Sequence, residues 1–287
     1  MGFGRELQAG FARATTGGRR GEVALFRALQ AVFHDLEARY PACLAAEIHG
    51  GKSIVSFTSQ EHYVERVPPG RSVRCELGDL HLAAVSPSQK WARVTFMQNK
   101  VRQAGPPDLG FRADLVQLEL LKTRAAFCRD GVLDEVLSAA THPSVACYGV
   151  FFPDRGHYDM QYYSAHQVEP FFTRKKGRVR MARYQGVLDV FSMTEDQFDG
   201  CSGLEVFGDA FSALQIGEPM KLPELIRRLP EGERETLVGL LRRADTPVED
   251  GEWYREEAEP PLWEAVGTTV FLNADRWDME ERRSTTG

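Results

Sequence analysis

Asp79 lies in the run Glu76-Leu77-Gly78-Asp79-Leu80, and nineteen residues further on Gln98-Asn99-Lys100 closes a short run with strand character. A carboxylate on one strand, with a carbonyl-bearing side chain and a lysine two apart on the next, is suited to metal-assisted attack on a phosphodiester. Side chains alternate faces along a strand, so Gln98 and Lys100 share one side and Asn99 the other. If the two strands pair through a turn over Ser86 to Lys90, Asp79 comes opposite the end of the second strand. Mg2+, or Mn2+ in its place, takes oxygen ligands and keeps several waters. Asp79, the Gln98 amide oxygen and the Asn99 backbone carbonyl would suffice beside substrate oxygens. The ion would polarise the scissile phosphate and lower the pKa of a bound water, and Lys100 would orient that water or neutralise charge on the phosphorus centre.

The elements that must hold these residues follow from hydrophobic periodicity. Val23, Phe26, Leu29, Phe33 and Leu36 fall at three- and four-residue steps and predict a helix from Glu22 to Tyr40, ended by Pro41. Ala42 to Ile48 reads as a further helical turn, residues 52–58 as a strand, and Pro68-Pro69-Gly70 as a loop. Residues 72–85 read as one long strand bent at Gly78, and Trp91 to Val101 as its hairpin partner. A helix over Ala113 to Phe127 and a central strand over 145–152 come next. Helices are expected at 204–216, 222–229 and 231–243. The fold class is therefore α/β, with a strand hairpin between two helices and helical additions at the C-terminal end.

Composition narrows the function classes. With 287 residues and 43% hydrophobic content the chain can bury a large core. No window approaches twenty apolar residues, and the N-terminal segment lacks the apolar run of a secretory signal, so a cytoplasmic protein without membrane contact is expected. The five cysteines are far apart and without a CxxC pair, which argues against a disulfide framework and a zinc site. The net charge of −6 is unevenly spread: residues 231–287 hold 15 acidic and 7 basic residues, leaving the body with a net of +2. A mildly basic body is compatible with a nucleic-acid partner.

The acid, the Gln98-Asn99-Lys100 element and the order helix, hairpin, helix, strand over about residues 22–152 resemble the PD-(D/E)xK nuclease superfamily. The glutamine is similar to the QxK form of Mrr-like and modification-dependent restriction nucleases, while Gly78 stands where the family's proline would precede the acid. The resemblance implies a restriction-endonuclease-like core, a mixed sheet flanked by helices, over residues 1–200. Residues 201–287 would form a helical, acidic extension. It further implies a Mg2+-dependent DNA endonuclease, a bacterial restriction or anti-phage defence effector working as a homo-oligomer or with a partner subunit. The non-catalytic alternative is a nuclease-fold subunit that binds nucleic acid or protein. Many members carry a metal-reaching glutamate on the first helix; Glu22, Glu37 and Glu47 are available, with Glu22 and Glu47 level.

Three further groups complete the reading. Arg174, Lys175, Lys176, Arg178 and Arg180 form a basic segment able to contact phosphates, or a solvated loop. His157, Tyr158, Tyr162, Tyr163 and His166 could stack on bases or line a strand. Glu76 should face away from Asp79 as a solvated strand residue.

Overall fold

The protein is described by a computed structural model covering residues 2–18, 20–47, 54–60, 69–102, 110–129, 132–171, 179–184, 200–229, 231–243 and 268–277. The chain opens with helices α1 (Phe3–Thr15) and α2 (Glu22–Arg39), then strands β1 (Cys43–Glu47), β2 (Ile54–Thr58) and β3 (Ser72–Glu76). The hairpin β4 (Leu80–Ser86) and β5 (Trp91–Val101) follows, then β6 (Gly110–Asp114), α3 (Leu115–Thr123), β7 (Phe127–Arg129) and β8 (Val132–Asp134). A second hairpin, β9 (Ala146–Asp154) and β10 (His157–Ser164), precedes β11 (Val168–Phe171), β12 (Val179–Tyr184) and β13 (Gly200–Ser202). The last elements are α4 (Leu204–Ser212), β14 (Glu218–Lys221), α5 (Leu222–Arg228), α6 (Glu231–Arg243) and β15 (Thr268–Asn273).

A mixed sheet of order β1-β15-β4-β5-β9-β10-β13 forms the centre, with β14 pairing the first half of β5. β5 runs antiparallel to β4 and parallel to β9. Both faces are covered by helices, which explains why every residue of β4 is buried. On one face Ala83, Val85, Val94 and Phe96 pack with residues of α3, α5 and α6; on the other Leu80, Leu82, Ala84 and Met97 pack with α1, α2 and α4. Two smaller sheets, β11-β12-β6 and β3-β2-β7-β8, flank this layer.

The hairpin and its turn over residues 87–90 lie where periodicity predicts, and α6 spans Glu231–Arg243 as expected. Three stretches differ. Ala42 to Ile48, expected as helix, contains β1, whose residues Cys43 to Glu47 pair antiparallel with β15. Its alanine-rich sequence suits a helix, but the ladder to β15 supplies backbone bonds and burial that local preference cannot offset. Residues 72–85 do not form one strand: β3 joins β2 in the four-stranded sheet, and the chain breaks at Gly78 and Asp79 before β4 enters the central one. The stretch from residue 201 supplies α4, α5 and α6, but also β15, which lies between β1 and β4.

Two carboxylates, the buried Asp159 and the exposed Asp209, tie the N-terminal helix to α4. Asp159, 6% exposed, accepts from the amides of Met160 (2.7 Å) and Leu204 (2.8 Å) and from Gln8 Nε2 (3.1 Å). Asp209 Oδ1 accepts from the Gly4 amide at 2.9 Å. Gly4 and Gly208 let these helices cross closely, since a Cβ on Gly4 would run into the Glu205 carbonyl.

His81 titrates the core. It is fully buried in β4 with its ring stacked on Phe96 at 5.1 Å, and burial pushes its imidazole down from 6.5 to about 3. Below its ordinary pKa the unfolded chain takes up the proton first. Stability is therefore complete above pH 6.5 and is lost as pH falls from there towards 3. In His81→Phe the drop in thermal midpoint between about pH 7 and about pH 4 should be smaller than in the wild type; equal drops would contradict this account.

Candidate active site

The β4–β5 ladder runs from Ser86 opposite Trp91 to Leu80 opposite Met97, and Asp79 stands one residue beyond its end. The Asp79 amide donates to the Met97 carbonyl at 3.0 Å. Its carboxylate then takes over the acceptor role that a longer strand would have filled. Oδ2 accepts from the Asn99 amide at 2.7 Å and from Gln98 Nε2 at 2.6 Å. Gly78 allows this turn, because a Cβ there would stand 3.2 Å from the Met97 carbonyl oxygen.

Lys100 completes the cluster from the far end of β5. Its ammonium, with the side chain only 13% exposed, lies 3.1 Å from Glu22 Oε1 in the first turn of α2. Burial raises the Asp79 carboxyl to about 6; the Lys100 charge and the two N–H donors hold it down, while Glu22 pushes it up. Asp79, Lys100 and Glu22 thus act on one another electrostatically. Among the candidate glutamates, Glu22 lies beside Lys100. Glu37 instead accepts from the Ala45 amide at 3.3 Å, and Glu47 ends β1 opposite Thr268.

Gln98 is held differently from its expected ligand role. Its Nε2 faces Asp79 and its Oε1 accepts from Gln117 Nε2 of α3, so the amide supports the carboxylate instead of adding an oxygen beside it. Gln117 was not visible as a site residue in the sequence. The signal that marks it is the pair Gln117 and Glu119 in the otherwise apolar run Leu115-Val116-Gln117-Leu118-Glu119-Leu120-Leu121, every member of which is buried. Glu119 serves elsewhere, accepting from Ser59 Oγ at 2.9 Å and the Gln60 amide at 2.6 Å.

The remaining donors suit a hard cation. Asp79, Glu22 and the Asn99 backbone carbonyl are all oxygen, and magnesium needs only one or two carboxylates when water and substrate supply the rest. Among the described residues there is no group of three or more His, Cys, Asp or Glu side chains placed to hold a metal. Asn99 carries a second feature: its side-chain amide is fully buried with no hydrogen-bond partner among the described residues, and a Cβ on the neighbouring Gly149 would come within 2.9 Å of Asn99 Oδ1.

The other candidates separate from this cluster. Glu76 is exposed, as expected, and only its backbone carbonyl faces inward, to Gln117 Nε2 at 2.9 Å. Tyr158, Tyr162 and Tyr163 are buried in the core of β10, so they cannot stack on bases. Arg174, Lys175, Lys176 and Arg178 lie outside the described residues, and Arg180 sits in β12 opposite Ala113. Among the described residues no helix is long and apolar enough to cross a membrane.

A buried carboxylate with a raised pKa holds its proton more tightly in the folded state than in the unfolded chain. Native stability therefore falls as pH rises from 3.8 to about 6, and the whole penalty applies above that. Asp79→Asn keeps an acceptor for both N–H groups and removes the charge. Its thermal midpoint should exceed that of the wild type at about pH 8, with the gain shrinking towards about pH 4; a lower midpoint at the higher pH would show that the charge stabilises the fold. Compared with protein-family models, with curated proteins and with solved structures, the chain matches none.

Proposed function

We propose that this chain is a divalent-cation-dependent DNA endonuclease built on a PD-(D/E)xK-like core, with Asp79, Lys100 and Glu22 as its working groups. The observation that carries the reading is the Lys100–Glu22 ion pair between the end of β5 and the first turn of α2, with the Asp79 carboxylate just before β4 within electrostatic reach of both. The order of α2, the β4–β5 hairpin, α3 and a strand β9 parallel to β5 supports it as well. A bound Mg2+ or Mn2+ would supply polarisation of the phosphate and a more acidic water.

The chain's own residues account for the rest. Glu22 holds the Lys100 ammonium at 3.1 Å and largely out of solvent, and the Asp79 carboxylate lies within electrostatic reach of both. A cation so placed can bind a non-bridging phosphate oxygen and offset the negative charge that grows there as a water attacks. Gln98 and the Asn99 amide keep Asp79 in place by donating to Oδ2. Arg174, Lys175, Lys176, Arg178 and Arg180 would add sequence-independent contacts to the DNA backbone. Service as a restriction or anti-phage effector, as a homo-oligomer or beside a partner subunit, belongs to the same reading by analogy of fold.

One observation favours the non-catalytic alternative of a nuclease-fold binding subunit. The polar groups of the cluster already satisfy one another, Lys100 with Glu22 and Asp79 with Gln98 and Asn99. Plasmid DNA incubated with the purified protein, with and without Mg2+, separates the two. The catalytic reading expects metal-dependent nicking that drops at least about a hundredfold in Asp79→Ala and in Lys100→Ala, both still folded by circular dichroism. Nicking that survives both substitutions removes the site assignment, and binding without nicking supports the alternative. Neutralising Arg174, Lys175 and Lys176 together should lower the slope of log affinity against log salt by up to about three. An unchanged slope would make the segment a solvated loop.

A further inference from the structure

We propose that Gln117 is a positioning residue for this site, acting through Gln98 on the Asp79 carboxylate. The inference rests on the endonuclease reading for its importance to turnover, but not for its geometry. Gln117 projects from the first turns of α3, is 3% exposed, and uses both of its Nε2 hydrogens: one goes to the Glu76 carbonyl at 2.9 Å, the other to Gln98 Oε1. The Glu76 acceptor is a backbone carbonyl, which cannot donate. Gln117 must therefore face it with its nitrogen, and any flip of that amide would set oxygen against oxygen.

The direction propagates from there. Because Gln117 offers N–H groups, Gln98 has to turn its Oε1 towards them and its Nε2 the other way, to Asp79 Oδ2 at 2.6 Å and the Asn99 carbonyl at 3.3 Å. The backbone carbonyl at the end of β3 thereby fixes, through two side-chain amides, which atom meets the carboxylate. The outcome is that Asp79 Oδ2 is engaged by two donors from β5. Without Gln117 this orientation is favoured only by the acceptors on the Asp79 side, and Gln98 Oε1 loses the donor that holds it in place. Flipped, it would press its own oxygen on Asp79. The two glutamine side chains of the relay are buried, where an unmatched polar atom is costly, so the relay is strict about orientation. α3 is held for the task by Asp114, whose carboxylate caps it by accepting from the amides of Val116 and Gln117.

The test has an arm that needs neither metal nor substrate. In 15N-labelled protein the side-chain amide of Gln98, assigned by its disappearance in Gln98→Met, should exchange slowly with solvent. In Gln117→Met it should exchange fast, while the backbone amides of β4 and β5 stay protected. An equally protected Gln98 amide in Gln117→Met overturns the proposal. If that variant does not fold, Gln117→Glu, which keeps length and packing, is held to the same expectation. In the cleavage arm, Gln117→Met should lower kcat by about tenfold with little change in KM, the usual range for a partner that orients a ligand. Added to Gln98→Met, it should cost nothing more, because it acts through a side chain already gone. Additive losses would make Gln117 merely structural. If the wild type does not cleave at all, the endonuclease reading fails while the exchange experiment still decides the role of Gln117.

Discussion

The centre of the molecule depends on how the β4–β5 ladder ends. A strand that stops inside a protein leaves N–H groups on its neighbour without partners, and burying them unmatched costs about 1–3 kcal/mol each. Here the neighbour's exposed N–H is that of Asn99, and the carboxylate of Asp79 closes it at 2.7 Å. That one bond places a negative group at the mouth of the sheet and draws Gln98 in beside it. It also puts Lys100, one residue on, within electrostatic reach. A buried carboxylate held at a raised pKa is not what stability alone would select, and such groups concentrate where chemistry is done. In the proposed reading the strand end and the active site are the same structural event.

Packing on both faces of the sheet brings the partners to that point. α2 lies over the face lined by Leu80, Leu82, Ala84 and Met97, and its first turn delivers Glu22 to Lys100. α3 lies on the opposite face and delivers Gln117 to Gln98. The two glutamines and the ion pair therefore approach the end of β5 from different layers, and neither helix could be shifted without loosening one of them. α1 and α4, crossed at Gly4 and Gly208 and joined by Asp159 and Asp209, cover the same face as α2.

Much of this was legible in the residues. α2, α3 and α6 follow from apolar steps of three and four, β9 from an apolar run, and β4 and β5 from strand-like stretches on either side of a turn, because these signals are local. The missed elements failed for different reasons. α1 carries a stripe of Phe3, Leu7 and Phe11, all buried, but its glycines at 4 and 10 lower helix preference and are explained only by the close approach of α4 and of Val32. β15 has the β-branched and aromatic run Thr268-Thr269-Val270-Phe271-Leu272-Asn273, which acidic surroundings mask. β1 is a strand only because β15 is there to pair with it.

The site divides along the same line. Sequence by itself determined that Asp79 and Gln98-Asn99-Lys100 lie near one end of the same hairpin, since turn position and strand alternation are set by neighbouring residues. Tertiary structure alone decided that Glu22, and not Glu37, meets Lys100, because the choice depends on how α2 lies across the sheet. It also decided that Gln98 offers nitrogen to Asp79, because the orientation of an amide is fixed by what stands on its far side. That neighbour, Gln117, comes from a helix nineteen residues away in the chain and 2.9 Å from the Glu76 carbonyl that orients it.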